Sequence, residues 1–332
     1  MNVDNGGTKM VNMVCDLFSI KYPIIQGPMA FISGSPLVAA VSEAGGLGVL
    51  GVGFAPPEVI AREIKETKKL TTKPFGANVQ LIPEMLQSVN RVVLDEPVPV
   101  VYADTINVLD YNLAKKYFDI WHEKGMKVLS KVGFLGDAIT AEKAGADAII
   151  VKGWEGGGHV TQIATLPLVP QAADVVAVPL IAAGGIGDGR GMAAAIILGA
   201  QGVELGTAFM LADECTAHSN VKRAMIAAGD NDTVVVGMCT GEPCRQIKNK
   251  LSDEIMCIEA GYVKAEAAEK LRPVAASSLM RAALDGDVEE AGAVMAGQIV
   301  GMLKEIRPAK AIIEEIILSC QAILGRPPSL GI

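Results

Sequence analysis

The chain has 332 residues, of which half are hydrophobic and a fifth are charged, and it carries a formal net charge of -8. An acidic chain without a basic patch does not match proteins that bind nucleic acid or anionic membrane surfaces, so neither is expected as a partner. The length is ample for one large α/β barrel or for two ordinary domains.

Cysteine usage and the N-terminal segment bear on the compartment. The six cysteines are scattered and form no CxxC motif, so reduced thiols are expected. The N-terminal segment MNVDNGGTKMVNMVCDL lacks the basic-then-apolar order of a signal peptide, and no apolar stretch has the length of a membrane span. We therefore expect a cytoplasmic protein that is not inserted in a membrane.

Eight short apolar runs alternate with segments of helical spacing along the first two thirds of the chain. They predict strands at 23–29, 47–53, 75–81, 98–104, 127–132, 147–153, 179–185 and 202–209. Several of the intervening segments end in a glycine suited to a helix C-cap, such as Gly45 and Gly145. Eight parallel strands, each followed by a helix, close an α/β fold of the (β/α)8, or TIM, barrel type.

The alternation is lost between about Asn220 and Pro273, and helical patterns resume after it. The simplest architecture is a TIM barrel formed by residues 1–219 and 274–332, whose C-terminal helices return to the barrel. Residues 220–273 then form a small, mostly helical inserted domain after strand eight, on the substrate side.

In such barrels the active site lies at the C-terminal ends of the strands, and phosphorylated ligands commonly bind after strands seven and eight. Gly184 and Gly185 end the seventh predicted strand, and Gly206 and Thr207 lie near the end of the eighth. Glycines there let backbone N–H groups approach phosphate oxygens. Tight turns without a ligand are the alternative; both clusters together favour a phosphate site.

The segment GLGVLG at 46–51 matches the dinucleotide-binding pattern GxGxxG. That motif requires its glycines to follow a strand and open a helix, whereas these lie within the second predicted strand. A Rossmann site is therefore not expected here.

His159 follows three glycines in the segment GWEGGGHV, at the end of the sixth predicted strand. Histidine is the usual proton-transfer side chain near neutral pH, and its place at the barrel mouth favours catalysis over a structural role. His122 lies in a predicted helix and is interpreted as a surface or packing residue. Cys215 and His218 have too few companions for a metal site, so none is predicted.

Several motifs in this order resemble one family: YPIIQGPMA, EAGGLGVLGVG, KPFGANVQL, GWEGGGH, IAAGGIGDGRG and LGAQGVELGTAF. They resemble the nitronate monooxygenase (2-nitropropane dioxygenase) family, which also includes the FMN-dependent enoyl-acyl-carrier-protein reductase II enzymes. The resemblance covers nearly the whole predicted barrel. It implies an FMN-dependent oxidoreductase with a small inserted domain over the flavin.

The resemblance also implies roles for particular residues. Pro28, Met29 and Ala30 would run past the isoalloxazine ring. Asn78 and Lys131 would hydrogen-bond to the flavin, with Lys131 near the N1–C2 edge, where a cation stabilises reduced anionic flavin.

The other implied contacts lie in the loops after strands six, seven and eight. His159 matches the catalytic histidine of the Gly-Gly-His motif, and the glycines before it allow close approach to a planar cofactor. The remaining cofactor-binding positions are Glu155, Gly157, Gly158, Gly184, Gly185, Gly206 and Thr207, of which the last four would hold the phosphate.

Two branches of the family and one non-catalytic alternative remain open from the sequence. The favoured function is oxidation of alkyl nitronates with oxygen through the flavin, on the grounds of Lys131 and of a missing Thr-Gly-Ala-Gly turn after strand four. The segments TLPLVPQ and VMAGQIVG instead resemble the reductase branch, which would use NAD(P)H as co-substrate and acyl carrier protein as partner. An FMN-binding module without turnover would not need His159.

A homodimer is expected from the prevalence of symmetric assemblies.

Overall fold

The structure, a computed structural model, describes residues 12–106 and 108–325. Its barrel strands are β1 (Ile24–Gln26), β2 (Leu47–Leu50), β3 (Phe75–Gln80), β4 (Val100–Asp104), β5 (Lys127–Val132), β6 (Ala148–Lys152), β8 (Leu180–Ala183) and β9 (Gly202–Leu205), while β7 (Gly158–His159) lies outside the barrel. All eight barrel strands are parallel, and β1 closes the barrel against β9 with Ile25 opposite Glu204. The predicted TIM barrel is confirmed, each strand lying within its predicted range.

The helices of the barrel alternate with the strands. They are α1 (Met13–Phe18), α2 (Ser35–Glu43), α3 (Pro57–Leu70), α4 (Pro83–Asp95), α5 (Tyr111–Glu123), α6 (Leu135–Ala144), α7 (Thr165–Ala173), α8 (Gly189–Ile197), the short α9 (Thr207–Met210) and the C-terminal α14 (Ala309–Leu324). No helix in the described part of the chain is long and apolar enough to cross a membrane.

The barrel interior is closed at its N-terminal end by α1. Val14 and Phe18 of this helix are buried in one cluster with inward-facing strand residues such as Ile25 and Leu129. The cavity lined by strand-end residues lies at the opposite, C-terminal end of the strands. This is the end at which TIM barrels bind their ligands.

Helix α14 takes the position of the eighth barrel helix, because it packs against both α8 and α2. Gly189 allows the close contact with α8, because a Cβ there would lie 2.6 Å from the backbone nitrogen of Cys320. The assignment of residues 274–332 to the barrel domain stays a prediction.

The GLGVLG segment contains strand β2 rather than a phosphate-binding turn. A Cβ on Gly48 would lie 2.3 Å from the carbonyl oxygen of Val38, and one on Gly51 would lie 2.2 Å from that of Met29. Real Cβ atoms essentially never approach so closely, so these glycines serve packing. The rejection of a Rossmann site agrees with this geometry.

The segment after the eighth strand folds as a separate layer over the barrel mouth. It contains α10 (Ser219–Ala227), β10 (Thr233–Val236), a 3-10 turn (Met238–Thr240), β11 (Cys244–Ile247), α11 (Lys250–Gly261), α12 (Lys264–Ala275), α13 (Ser278–Met280), a π-helical turn (Arg281–Asp285) and a 3-10 helix (Gln298–Met302). Its two strands join β7 in an antiparallel sheet of order β10-β11-β7. The strands were not predicted from the sequence, and the boundaries at 220 and 273 stay a prediction.

Candidate active site

One cavity opens at the C-terminal end of the barrel and holds about 1290 Å³, counted with the part open to solvent. Every position predicted from the sequence to bind the cofactor or to catalyse lines it: Pro28, Met29, Ala30, Asn78, Lys131, Glu155, Gly157, Gly158, His159, Gly184, Gly185, Gly206 and Thr207. The barrel brings these residues together because parallel strands all end at the same rim. Their individual roles stay predictions.

The loop after β1 is held in place by buried polar groups. Gln26 donates from Nε2 to Ser33 Oγ at 2.9 Å, and Ser33 Oγ in turn accepts from the backbone N–H of Met29 at 3.0 Å. Phe31 adopts a left-handed conformation with φ of 63°, which is unusual for a bulky residue. The segment Pro28–Ala30 therefore forms a fixed wall of the cavity.

Asn78 lies on β3 under a glycine that makes room for it, since a Cβ on Gly53 would lie 2.1 Å from Asn78 Oδ1. Asn78 is buried, and within the described chain its Nδ2 has no hydrogen-bond partner. Its neighbour Gln80 is in the same situation at Oε1. A buried amide without a partner is costly, so these groups suit a polar ligand in the cavity.

Charged side chains from three strands meet on the cavity wall. Lys131 Nζ on β5 forms an ion pair with Asp104 Oδ1 on β4 at 2.9 Å. The hydroxyl of buried Tyr102 donates to Glu204 Oε2 on β9. Burial opposes the charge of Lys131, but the carboxylates of Asp104 and Glu204 outweigh it and raise the pKa of Lys131. For the carboxyl group of Glu204, burial is the larger effect and raises its pKa, although the positive charge of Lys131 acts in the opposite direction.

Lys152, the last residue of β6, was missed by the sequence analysis. Its Nζ donates to the carbonyl oxygens of Gly157 at 2.6 Å and His159 at 2.8 Å. Burial, with the charge of Lys131, lowers the pKa of Lys152 from 10.5 to about 8. Its position near the end of the sixth predicted strand could have indicated a cavity residue, because barrel active sites lie at the C-terminal ends of the strands.

At each of the three positions before His159, a different physical reason favours glycine over a residue with a side chain. A Cβ on Gly156 would lie 2.5 Å from Lys152 Cε, and one on Gly157 would lie 2.7 Å from the backbone carbon of Ala296. Gly158 has a φ of 70°, a conformation that L side chains rarely adopt. The glycines thus let the loop pack against the Lys152 side chain and against the backbone at Ala296, in the segment that follows the insert.

His159 lies in β7 and faces the cavity from the side of the insert. Burial, with the charges of Lys131 and Lys152, lowers the pKa of His159 from 6.5 to about 4. The imidazole is therefore neutral at pH 7. No hydrogen bond from the described residues engages its ring, so both ring nitrogens can meet a ligand.

A second cavity, called the side cavity here, shares His159 and Met295 with the first and extends into the insert. Val236, Ile255 and Leu271 contribute to its apolar lining. His159 therefore stands at the junction of the two spaces. A substrate at the imidazole can extend from the barrel into the insert.

Glu155 lines the cavity, but its carboxylate has protein partners. It accepts hydrogen bonds from the backbone N–H of Thr165, at 3.1 and 2.9 Å to its two oxygens, and from Thr165 Oγ1 at 2.9 Å. Thr165 begins α7, where a carboxylate satisfies the free N–H groups of the helix end. The side chain thus orders the loop, and a cofactor would meet its backbone or its methylene groups.

The loops after β8 and β9 form the glycine-lined end of the cavity. Gly184 and Gly185 have φ values of 88° and 72°, and a Cβ on Gly184 would lie 2.9 Å from the Gly153 carbonyl oxygen. Thr207 Oγ1 accepts from the backbone N–H of Gly297 at 2.9 Å, which leaves its hydroxyl hydrogen to donate to a ligand. These features fit the phosphate of FMN, as the unpartnered amides of Asn78 and Gln80 fit its polar ring.

Within the described residues no group of three or more His, Cys, Asp or Glu side chains is arranged to hold a metal ion. His218 is used elsewhere, since its Nδ1 accepts from the backbone N–H of Asn220 at the start of α10. His122 Nε2 lies 2.8 Å from Asp147 Oδ2, just before the N-terminal end of β6, and neither residue lines the cavity.

Comparisons with known proteins agree with this geometry. Residues 12–319 match the family model described as nitronate monooxygenase. The chain is 32% identical over 354 residues to a probable nitronate monooxygenase of Staphylococcus aureus strain MSSA476, covering 94% of this chain and 98% of the relative.

Two solved structures are similar over nearly their whole length. FabK from Thermotoga maritima superposes with a TM-score of 0.88 at 37% identity, covering 95% of this chain and 97% of that one. A nitroalkane oxidase from Streptomyces ansochromogenes superposes with a TM-score of 0.78 at 31% identity, covering 93% and 98%.

Proposed function

Because the chain belongs to the nitronate monooxygenase family, whose members are oxidoreductases, we propose that it is an FMN-dependent enzyme that oxidises alkyl nitronates with oxygen to carbonyl compounds and nitrite. The family and its enzymatic character are the premise. The cofactor, the substrate and the residue roles are the proposal.

In this proposal Gly184, Gly185, Gly206 and Thr207 hold the FMN phosphate. Pro28, Met29 and Ala30, with the backbone of Glu155, Gly157 and Gly158, contact the ring, and Asn78 and Lys131 hydrogen-bond to it. The chemistry supplied by bound FMN is electron uptake from the substrate and transfer to oxygen. The support comes from the unpartnered amide of Asn78 and from the left-handed glycines at the phosphate end.

The observation that carries the nitronate assignment is the neutral imidazole of His159 beside the buried ammonium groups of Lys131 and Lys152. A nitronate arrives already deprotonated, so it needs no general base. Cations in a buried wall favour such an anion, and a neutral imidazole can donate one N–H to its oxygen. His159 therefore binds and orients the substrate in this mechanism.

The second candidate is an NAD(P)H-dependent enoyl-acyl-carrier-protein reductase, favoured by the similarity to FabK. That reaction needs an acid that protonates the reduced thioester. His159, with a pKa of about 4, is almost entirely unprotonated at pH 7 and so cannot serve as the acid. Lys152, with a pKa of about 8, is mostly protonated at that pH and is suited to the task. In this case acyl carrier protein would be the partner and the insert (220–273) its docking side.

A non-catalytic FMN-binding module is disfavoured by membership of an oxidoreductase family. A cytoplasmic location and a homodimer are retained as proposals from the sequence. The insert at 220–273 is proposed as the substrate-side domain because it contributes the strand opposite His159.

The deciding experiment is anaerobic. The purified yellow protein is mixed with NADH, NADPH or the nitronate of a small nitroalkane, and bleaching of the flavin absorbance is followed. Bleaching by nitronate but by neither nucleotide is the expected result. Fast bleaching by a nucleotide, with recovery on adding an enoyl thioester, would assign the reductase instead.

A further inference from the structure

We propose that Lys152 is a positioning residue for the reaction: its ammonium ties the loop that carries His159 to the barrel and fixes the orientation of the imidazole over the cavity. The inference rests on the proposed function only for the statement that His159 acts on the substrate. It assigns a role to a side chain that the family motifs quoted above do not include.

The contacts that carry the inference are two hydrogen bonds from one ammonium group to one loop. Lys152 Nζ donates to the carbonyl oxygens of Gly157 and His159, at 2.6 and 2.8 Å. The two carbonyls flank Gly158, whose left-handed conformation turns the chain into β7. An ammonium group bound on both sides of this turn fixes the direction in which the His159 side chain leaves the backbone.

The loop is built around this lysine. A Cβ on Gly156 would lie 2.5 Å from Lys152 Cε, so any other residue at 156 would displace the lysine chain. No described residue forms an ion pair with Lys152, whereas Lys131 is paired with Asp104. Among the described residues, Lys152 is therefore the lysine of the cavity wall that lacks an ion pair, and its ammonium group donates to main-chain carbonyls instead.

The charge of Lys152 acts on His159 together with the other groups around the ring. The titratable and charged groups that line the two cavities with it come from several elements: Tyr102 and Asp104 on β4, Lys131 on β5, Lys152 on β6, Glu155 in the loop after β6, Glu204 on β9, Glu242 and Cys244 on the side of the insert, and Arg272 on α12. Lys152 is protonated throughout the range in which a histidine titrates, so its charge opposes protonation of His159. Removing it should allow the imidazole to take up a proton at higher pH.

The test is an NMR titration of the FMN-loaded protein labelled with 15N-histidine. The chain has three histidines, so His159 is assigned by substituting it. In the wild type the His159 ring should stay neutral down to about pH 5. In Lys152→Met, which keeps the length and removes charge and donors, the pKa of His159 should rise by roughly one pH unit. Lys152→Arg, which retains the charge, should stay near the wild-type value.

Lys222→Met is the matched control. Lys222 is also buried and also donates to a main-chain carbonyl, that of Ala212 at 2.6 Å, but it does not line the cavity. Both Met variants should lose some thermal stability. Lys152→Met alone should shift the His159 titration and lower kcat, by roughly tenfold to a hundredfold, at nearly unchanged FMN content.

If Lys152→Met and Lys222→Met lower stability alike and neither moves the His159 titration, the proposal is wrong. If Lys152→Met does not fold, Gly156→Ala probes the same contact, and an unchanged His159 titration there overturns the proposal equally. The titration of His159 needs no substrate. A protein that does not turn over nitronates would therefore contradict the proposed function, but it would not decide whether Lys152 positions His159.

Discussion

His159 and Cys244 lie opposite each other in the small antiparallel sheet, one from the loop after β6 and the other from the insert. Side chains directly opposite in such a pair share one face of the sheet, and both of these line the side cavity. The insert is thus joined by backbone pairing to the residue proposed to orient the substrate.

A bulky residue at position 244 should therefore disturb the substrate more than the fold. We expect Cys244→Phe to lower turnover roughly tenfold to a hundredfold, since small displacements near the reacting groups have effects of that size. FMN content should not change. Cys257→Phe, at an exposed position on α11, is the control and should behave like the wild type. Equal turnover in both variants would contradict the placement of the substrate beside Cys244.

Gly184→Ala should weaken FMN binding. The substitution forces a side chain into a left-handed conformation and within 2.9 Å of the Gly153 carbonyl oxygen, which costs about 1–3 kcal/mol. The FMN dissociation constant should rise at least about fivefold. Flavin fluorescence during dialysis or titration measures it. Gly136→Ala is the control, since a Cβ there would meet nothing within 4 Å. If Gly136→Ala lost flavin as well, the weaker binding in Gly184→Ala could not be assigned to the phosphate site.

The ion pair of Lys131 and Asp104 should be revealed by a double-mutant cycle. Asp104→Asn leaves the ammonium of Lys131 buried without its carboxylate, which should cost about 3 kcal/mol in the free energy of unfolding. Lys131→Met should also destabilise. The double variant should cost less than the sum of the two, with a coupling of about 1–3 kcal/mol, measured by urea unfolding at one fixed FMN concentration. Additive costs would show that the pair contributes nothing.

His159→Asn should separate binding from turnover. We expect retained flavin and a loss of turnover of about two to four orders of magnitude. His122→Gln, at a histidine that contacts Asp147 away from the cavity, is the control and should keep full activity. Unchanged turnover in His159→Asn would remove His159 from the mechanism.

The His159→Asn variant should also lose less stability than the wild type as the pH falls below neutral. Because the pKa of His159 is lowered from 6.5 to about 4 on folding, the unfolded chain binds more protons between these values, and stability falls as the pH falls through this range. Between pH 7.5 and pH 5 the loss from this group is on the order of 2 kcal/mol. Lys152 adds no slope there, because its own window lies between about pH 8 and 10.5. Urea unfolding should show this loss in the wild type and in His122→Gln but not in His159→Asn; parallel profiles would contradict the shifted pKa.

The sequence by itself determined the barrel and most of the candidate site. The βα alternation is a local pattern, and parallel strands end at a common rim, so Asn78, Lys131, His159 and the strand-end glycines could be placed together without a structure. The decoy at 46–51 could be rejected because its glycines lie within a strand.

Only the tertiary structure decided which groups meet across the barrel and across the insert. Glu204 on β9 is far along the chain from Asp104 and Lys131 on the neighbouring strands β4 and β5. Which lysine is paired and which is not depends on the distances between the side chains. Strand β7 has two residues, too few for a period-two pattern, so its pairing with β11 has no local signal. The sequence placed a histidine at the rim. Burial and the proximity of the charges of Lys131 and Lys152, which arise only on folding, lower the pKa of that histidine.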